Sequence, residues 1–283
     1  MINILVTGSN GQLGKSIKDM EHKHSNFNFI FTDYQELDIS DFNSVENFFK
    51  NNSIDFCINC AAYTAVDQAE NNPEEAYQIN ELGVKNLATV IKNNQTILIH
   101  ISTDFVFDGT KKEPYTEADS TNPLNVYGNS KLKGETHIQT ILTNYFIIRT
   151  SWLYSEHGNN FVKTMLRLAS EKNEIQVVND QIGSPTYAKD LAEFILWIIS
   201  ENINDYGLYH YCNSGSISWY EFTLNIFKIL NIHTKVIPTS SSKYKTLATR
   251  PLYSVLSTKK TEEVFNLKSK PFLTSLNNCL KHL

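Results

Sequence analysis

The stretch "INILVTGSNGQLG", residues 2 to 14, constrains this chain more than any other feature. A short, mostly apolar run leads directly into Gly8, Gly11 and Gly14, spaced G-x-x-G-x-x-G. The run reads as a buried strand, and the glycines mark a tight turn opening into a helix near Gln12. Glycine permits such a turn, lets the backbone approach an anion, and lets the helix pack closely on the strand. The helix amino terminus then points unpaired N–H groups at that anion. The spacing is a variant of the dinucleotide fingerprint, in the context that fingerprint requires.

The same rhythm continues. Apolar runs at 2–7, 27–32, 54–59, 96–101 and 145–150 alternate with helical patterns beginning near Gln12, Asp41, Pro73 and Leu124. At Pro73, the preceding Asn71 and Asn72 offer a cap, and Glu74 and Glu75 suit the positive end of a helix. Continuous apolar strands alternating with helices predict an α/β fold, a doubly wound parallel sheet of Rossmann-like type. Beyond residue 150 the pattern loosens into a helix near Gly158, an amphipathic helix at 187–200, a strand at 207–213 and a polar loop at 239–251. Residues 1–150 are therefore expected to form a dinucleotide-binding domain, with parts of 180–215 contributing. Residues 151–283 are expected to form mainly a smaller substrate-binding lobe over the carboxyl edge of the sheet.

Composition narrows the function. The formal net charge of -5 argues against a sequence-independent grip on nucleic acid. The longest apolar candidate, "FILWIIS" at 194–200, is too short to span a membrane. The amino terminus lacks the layout of a secretion signal, so a cytoplasmic location is expected. Cys57 and Cys60 spell C-x-x-C, but inside an apolar run and with no second pair, so they read as packing residues.

Asp33 ends the second strand candidate, 19 residues after Gly14 (33 − 14). A carboxylate there accepts hydrogen bonds from ribose hydroxyls and repels a 2′-phosphate, although it could simply begin a turn. No arginine stands beside it, which leans toward NADH, while a lysine from elsewhere would admit NADPH. The fourth strand delivers Ser102, Thr103 and Asp104 to the ligand edge. Tyr127 and Lys131, four apart, share one face of the following helix. A hydroxyl, a phenol and an ammonium can then surround a carbonyl. Thr103 would stabilise the developing alkoxide, Tyr127 would give the proton, and Lys131 would orient the ribose and lower the phenol's pKa.

Eight ordered segments carry a family resemblance: "TGSNGQLG", "LDISD", "NCAAYTAVDQAE", "STDFVFDG", "YGNSKLKGE", "RTSWLY", "DQIGSPTYAKDLA" and "RPLYSVL". The chain resembles the extended short-chain dehydrogenase/reductases and, among them, the dTDP-4-dehydrorhamnose reductases. The resemblance implies that Gly11, Gln12 and Leu13 contact a pyrophosphate, with Asp38 and Ile39 at the adenine and Ala61, Ala62 and Tyr63 along the cofactor. It implies that Tyr127 is the proton donor, Lys131 its partner and Thr103 the oxyanion stabiliser. Thr103, Asp104 and Trp152 would meet the dTDP-sugar. Arg250, before Pro251, would pair with a diphosphate or close a surface loop. The implied reaction reduces a 4-keto sugar nucleotide with NADPH or NADH, giving a precursor of cell-surface polysaccharide.

Some relatives hold magnesium at a homodimer contact through acidic residues. Lys15, Ser16 and Lys189 stand in those neighbourhoods here, so no structural metal is expected and a homodimer stays open. Alternatives also stay open. A dehydratase of this family uses a Glu after the strand-end Thr-Asp, where this chain has Phe105. An epimerase, a reductase giving the C4 epimer, and a non-catalytic dinucleotide-binding regulatory subunit share the fold.

Overall fold

Five apolar segments form the strands β1 (Ile2–Thr7), β2 (Phe27–Phe31), β3 (Phe56–Asn59), β4 (Ile97–Thr103) and β5 (Tyr145–Thr150) in the computed structural model, which describes residues 1–283. A further strand, Gly207–His210, pairs with β5 and completes a sheet of order β2-β1-β3-β4-β5 and then 207–210. Every pairing in it is parallel. Parallel neighbours need crossover connections, and helices supply them. They are α1 (Gln12–Lys18), α2 (Phe42–Asn51), α3 (Val66–Asn71), α4 (Pro73–Tyr77), α5 (Val84–Asn94) and α6 (Val126–Ile141), followed by α7 (Phe161–Glu171), α8 (Ala188–Ser200) and α9 (Trp219–Ile229). The strand order reverses between β1 and β3, the point at which open α/β sheets bind ligands.

Alternate residues of a strand face opposite ways, and each face here has its own partners. Ile4, Val6, Ile58, Ile99 and Phe146 pack with Leu13 and Ile17 of α1 and with Leu191, Ile195 and Ile198 of α8. On the other face Leu5, Cys57, Leu98 and Ile147 pack with residues of α2, α5 and α6. The helix expected to be amphipathic at 187–200 is instead buried on most of its circumference. One side lies on the sheet, and Phe265 covers another through Phe194 and Trp197. A separate core, including Tyr154, Val162, Ile175, Phe222 and Leu276, forms a smaller lobe from non-contiguous segments after residue 150.

Two local expectations need correction. Asn72 makes no side-chain hydrogen bond to the start of α4. It closes α3 as well as opening α4, and the chain continues through a π-helical turn, Gln78–Gly83, into α5. The helix expected near Gly158 starts at Phe161, where the Asn160 side chain accepts from Lys163 N and caps it.

α6 docks on the sheet through polarity rather than aliphatic bulk. Its buried residues are Gly128, Ser130, Lys131, Gly134, Glu135 and Ile138. Arg149 of β5 donates to both oxygens of Glu135, at 2.8 and 2.6 Å, and the Ser102 hydroxyl of β4 donates to the same carboxylate. A Cβ on Gly134 would lie 2.3 Å from the Asn80 carbonyl oxygen, and one on Gly128 only 2.2 Å from that of Phe105. Removing one partner of a buried pair leaves the other charge uncompensated. Glu135→Ala is therefore expected to cost about 3–5 kcal/mol, read as a lower urea midpoint at unchanged slope.

Candidate active site

The carboxyl ends of the central strands open onto a cavity of about 490 Å³. Its floor is the glycine loop. Gly8 has φ +62°, and a Cβ there would lie 2.6 Å from the Ala61 nitrogen. A Cβ on Gly14 would lie 2.5 Å from Ser9 Cα, so α1 reaches its position only because residue 14 has no side chain. Gly11 precedes α1 and supplies no side-chain cap, which leaves the first-turn N–H groups without side-chain partners beside the cavity. A dinucleotide pyrophosphate fits this arrangement: bare backbone, close approach and uncapped donors. Asp33 supports the loop from behind, accepting from Asn10 N at 2.9 Å and from Tyr34 N at 2.8 Å.

Thr103 and Asp104 reach the cavity from the end of β4, and Tyr127 and Lys131 from α6. Asn125 caps α6 by accepting from Gly128 N at 2.8 Å, and its amide donates to the Thr249 carbonyl at 2.8 Å. Helix α6 is thus tied at its first turn to the 239–251 loop. The Thr103 hydroxyl donates to Asp104 Oδ1 at 3.1 Å. The other Asp104 oxygen is buried without a partner.

Burial sets the titration of all three acid–base groups. It pushes the Tyr127 phenol up to about 12, opposed by a hydrogen bond with Thr103 and reinforced by the Asp104 charge. It pushes the Lys131 ammonium down to about 8, opposed by Glu135 and Cys60. It raises the Asp104 carboxyl to about 7, opposed by the Ser254 and Thr103 hydroxyls. The expectation that Lys131 lowers the phenol is therefore corrected. Lys131 Nζ is turned toward the sheet, donating to the Ile101 carbonyl at 2.6 Å and lying 3.3 Å from His100 Nε2.

Trp152 forms another wall. Its φ of +49° is a strained left-handed conformation for a bulky residue. Its ring stacks on Trp219 with centroids 3.3 Å apart and planes 6° apart. A Cβ on Gly183 would sit 2.4 Å from the indole, so that position must stay bare. Gln12 bridges the lobes, its Oε1 accepting from Ser155 Oγ and Asn160 Nδ2, both at 3.0 Å.

The cavity lining brings together Gly8, Gly11, Gln12, Leu13, Gly14, Ala62, Thr103, Asp104, Tyr127, Lys131 and Trp152. Asp33, Asp38, Ile39, Ala61, Tyr63 and Arg250 lie outside it. Asp38 accepts from Ser40 N at 2.9 Å, and Ile39 is buried against Gly83. The Tyr63 backbone is locked to the Asn80 side chain at 2.9 and 3.0 Å. Arg250 holds Asp67 bidentately, at 3.1 and 2.7 Å, in the wall of a second cavity of about 1110 Å³ that also carries Lys111, Lys112 and Lys245. Sequence reasoning missed Thr64, Gly158, Asn159 and Asn160, which line the first cavity. The Gly-Asn-Asn run before α7 was the available signal. Cys57 and Cys60 are both free, and burial raises both thiols, that of Cys60 to about 12. No helix is long and apolar enough to cross a membrane.

Residues 2–283 match the family model described as the RmlD substrate binding domain. A dTDP-4-dehydrorhamnose reductase of Aggregatibacter actinomycetemcomitans is 38% identical, the match covering 98% of each chain. A crystal structure of a dTDP-4-dehydrorhamnose reductase from Clostridium acetobutylicum superposes with TM-score 0.94 at 41% identity, covering 99% of each chain. One from Bacillus anthracis, in complex with NADP, superposes with TM-score 0.96 at 39% identity over the full length of both.

The Asp104 carboxyl carries a pH signature. Its folded pKa, raised to about 7, exceeds the ordinary unfolded value of about 3.9, so between those pH values the folded state holds the extra proton. Stability therefore falls as pH rises through that window. Asp104→Asn removes the effect. Its stability relative to the parent should climb from about pH 4 to about pH 7 and stay level above, read from urea midpoints across pH.

Proposed function

The chain belongs to the RmlD substrate binding family, and from that premise we propose that it reduces the 4-keto group of dTDP-4-dehydro-L-rhamnose to give dTDP-L-rhamnose, using NADPH or NADH. The observation that carries this reading is the convergence of Thr103, Tyr127 and Lys131 on one cavity with the glycine loop. Gly8, Gly11, Gln12, Leu13 and Gly14 would hold the pyrophosphate, and Ala62 would lie along the cofactor. The dinucleotide, when bound, supplies the hydride.

The chain's own residues handle the oxygen. As the ketone is reduced, its oxygen gains negative charge, and the Thr103 hydroxyl, rotating its one proton away from Asp104, would donate a hydrogen bond to it. Tyr127 passes its proton to that oxygen. A phenol raised to about 12 is neutral at ordinary pH and so arrives loaded with its proton, as an acid catalyst must. A fixed Trp152 ring gives the sugar a wall against which to lie, and Asp104 offers it a buried carboxyl. The nucleotide half belongs in the second cavity, whose four cations suit a diphosphate. Arg250 would exchange Asp67 for that diphosphate.

Tyr127→Phe removes the proton donor and little else. It should retain NADPH binding, read by fluorescence, while turnover of the keto sugar falls by roughly 10²–10⁴-fold. The product of the parent enzyme should have the C4 configuration of dTDP-L-rhamnose by NMR. The opposite configuration would keep the chemistry and discard the substrate assignment.

A further inference from the structure

Register places three polar side chains in one row of the sheet. Thr7 pairs with Asn59, and Asn59 with His100, across β1, β3 and β4. The row lies one step beyond the apolar Leu5, Cys57 and Leu98 of the α6 face. Thr7 and Asn59 are 1% exposed and His100 is 0% exposed. Thr7 Oγ1 donates to Asn59 Oδ1 at 2.7 Å, and Asn59 Nδ2 lies 3.0 Å from His100 Nδ1, the two ends of an amide that can be exchanged by a half-turn. The row ends at the Lys131 ammonium, 3.3 Å from His100 Nε2.

Buried polar groups cost stability unless hydrogen-bonded, and aliphatic residues would fill this row without that demand. Mutual satisfaction accounts for Thr7 and Asn59. It does not account for a histidine whose outer nitrogen meets a cation. We infer that His100 is a positioning residue for Lys131: its imidazole, held as the Nδ1–H tautomer, accepts a hydrogen bond from the lysine and keeps it charged beside the cavity.

The chemistry of the donors gives the direction. An ammonium has three N–H donors and no acceptor, so the ring nitrogen facing it must be unprotonated. A neutral ring then carries its proton on Nδ1, which needs an acceptor, and the amide oxygen of Asn59 can turn to provide it. The amide NH₂ then donates to Thr7, whose hydroxyl accepts as readily as it donates. Burial and the Lys131 charge hold the His100 pKa well below its ordinary value, which keeps the ring neutral. The other ionisable groups around Lys131 do not take this role. Glu135 is committed to Arg149, and Tyr127, Cys60 and Asp104 make no hydrogen bond to Nζ. Only the His100 ring and the Ile101 carbonyl do.

The inference rests on the proposed reading in one respect, that turnover needs Lys131 as a cation. Its test is therefore double. In the cofactor-free protein labelled with ¹⁵N-histidine, the His100 signals, assigned by their loss in His100→Gln, should show the Nδ1–H tautomer. An Nε2–H tautomer overturns the inference whatever the enzyme does. In turnover, activity should fall as pH rises through the Lys131 pKa of about 8. His100→Leu removes an acceptor from the charged form and should move that alkaline limb down by a unit or more, a loss of about tenfold per unit above it. His100→Gln, with a side-chain oxygen near the Nε2 position, should restore the limb. A folded His100→Leu variant with an unmoved limb overturns the inference, since a purely structural role predicts that result. Should His100→Leu not fold, the tautomer in the parent still decides. Absence of turnover by the parent refutes the functional reading alone.

Discussion

The placement of Tyr127 and Lys131 depends on how α6 is seated, and one buried ion pair seats it. Arg149 and Ser102 are cross-strand neighbours, and both reach Glu135. A bidentate guanidinium–carboxylate pair tolerates little displacement, and here it has almost no water to fall back on. Sliding α6 by one turn would strand both charges. Replacing the pair with aliphatic residues would bury area as well, but without a fixed register. Two turns earlier on the same helix stands Tyr127, and one turn earlier stands Lys131. The pair therefore sets where the phenol sits relative to Thr103 as firmly as any contact within the cavity does.

The same dryness that strengthens the pair governs the acid–base groups. Desolvation is the largest cause for Tyr127, Lys131 and Asp104, and it drives each toward its neutral form. For the phenol this simply secures the proton. For the lysine and the aspartic acid it brings two groups of opposite type close to neutrality, where small changes in their partners decide the charge. A hydrogen-bond acceptor beside Lys131 matters in that setting, whereas it would matter little for a lysine in water.

Much of the sheet was legible in sequence because parallel strands buried on both faces are written as unbroken apolar runs. The glycine loop was legible for a related reason: only a missing side chain lets Gly8 lie against Ala61 and Gly14 against Ser9. The four-residue spacing of Tyr127 and Lys131 correctly puts them on one face of a helix and into one cavity. It says nothing about which partner each terminal atom finds, and Lys131 turns to Ile101 and His100 instead of to the phenol. Partners distant along the chain were equally invisible. Asp67 takes Arg250 across 183 positions and Gln12 takes Asn160 across 148, and no local pattern encodes either. The strain at Trp152 also escapes sequence reasoning, since a left-handed tryptophan is disfavoured locally and is accommodated by distant partners: the Trp219 ring, the Thr186 N–H and the space left at Gly183.

Those distant partners share a geometry. The hydrophobic cores of the sheet and of the smaller lobe are separate clusters. Besides a small apolar cluster of Val106, Phe107 and Tyr115 with Cys212 and Leu256, polar side chains join the chain's two parts: Gln12 to Ser155 and Asn160, Asn125 to Thr249, and Asp67 to Arg250. Each links a residue before position 130 to one after position 150. Polar contacts of this kind can be exchanged for contacts to a ligand without opening either core, because the groups they release find partners on the ligand. A cavity whose walls are joined this way can reshape around a sugar nucleotide while the sheet, α6 and the glycine loop stay fixed.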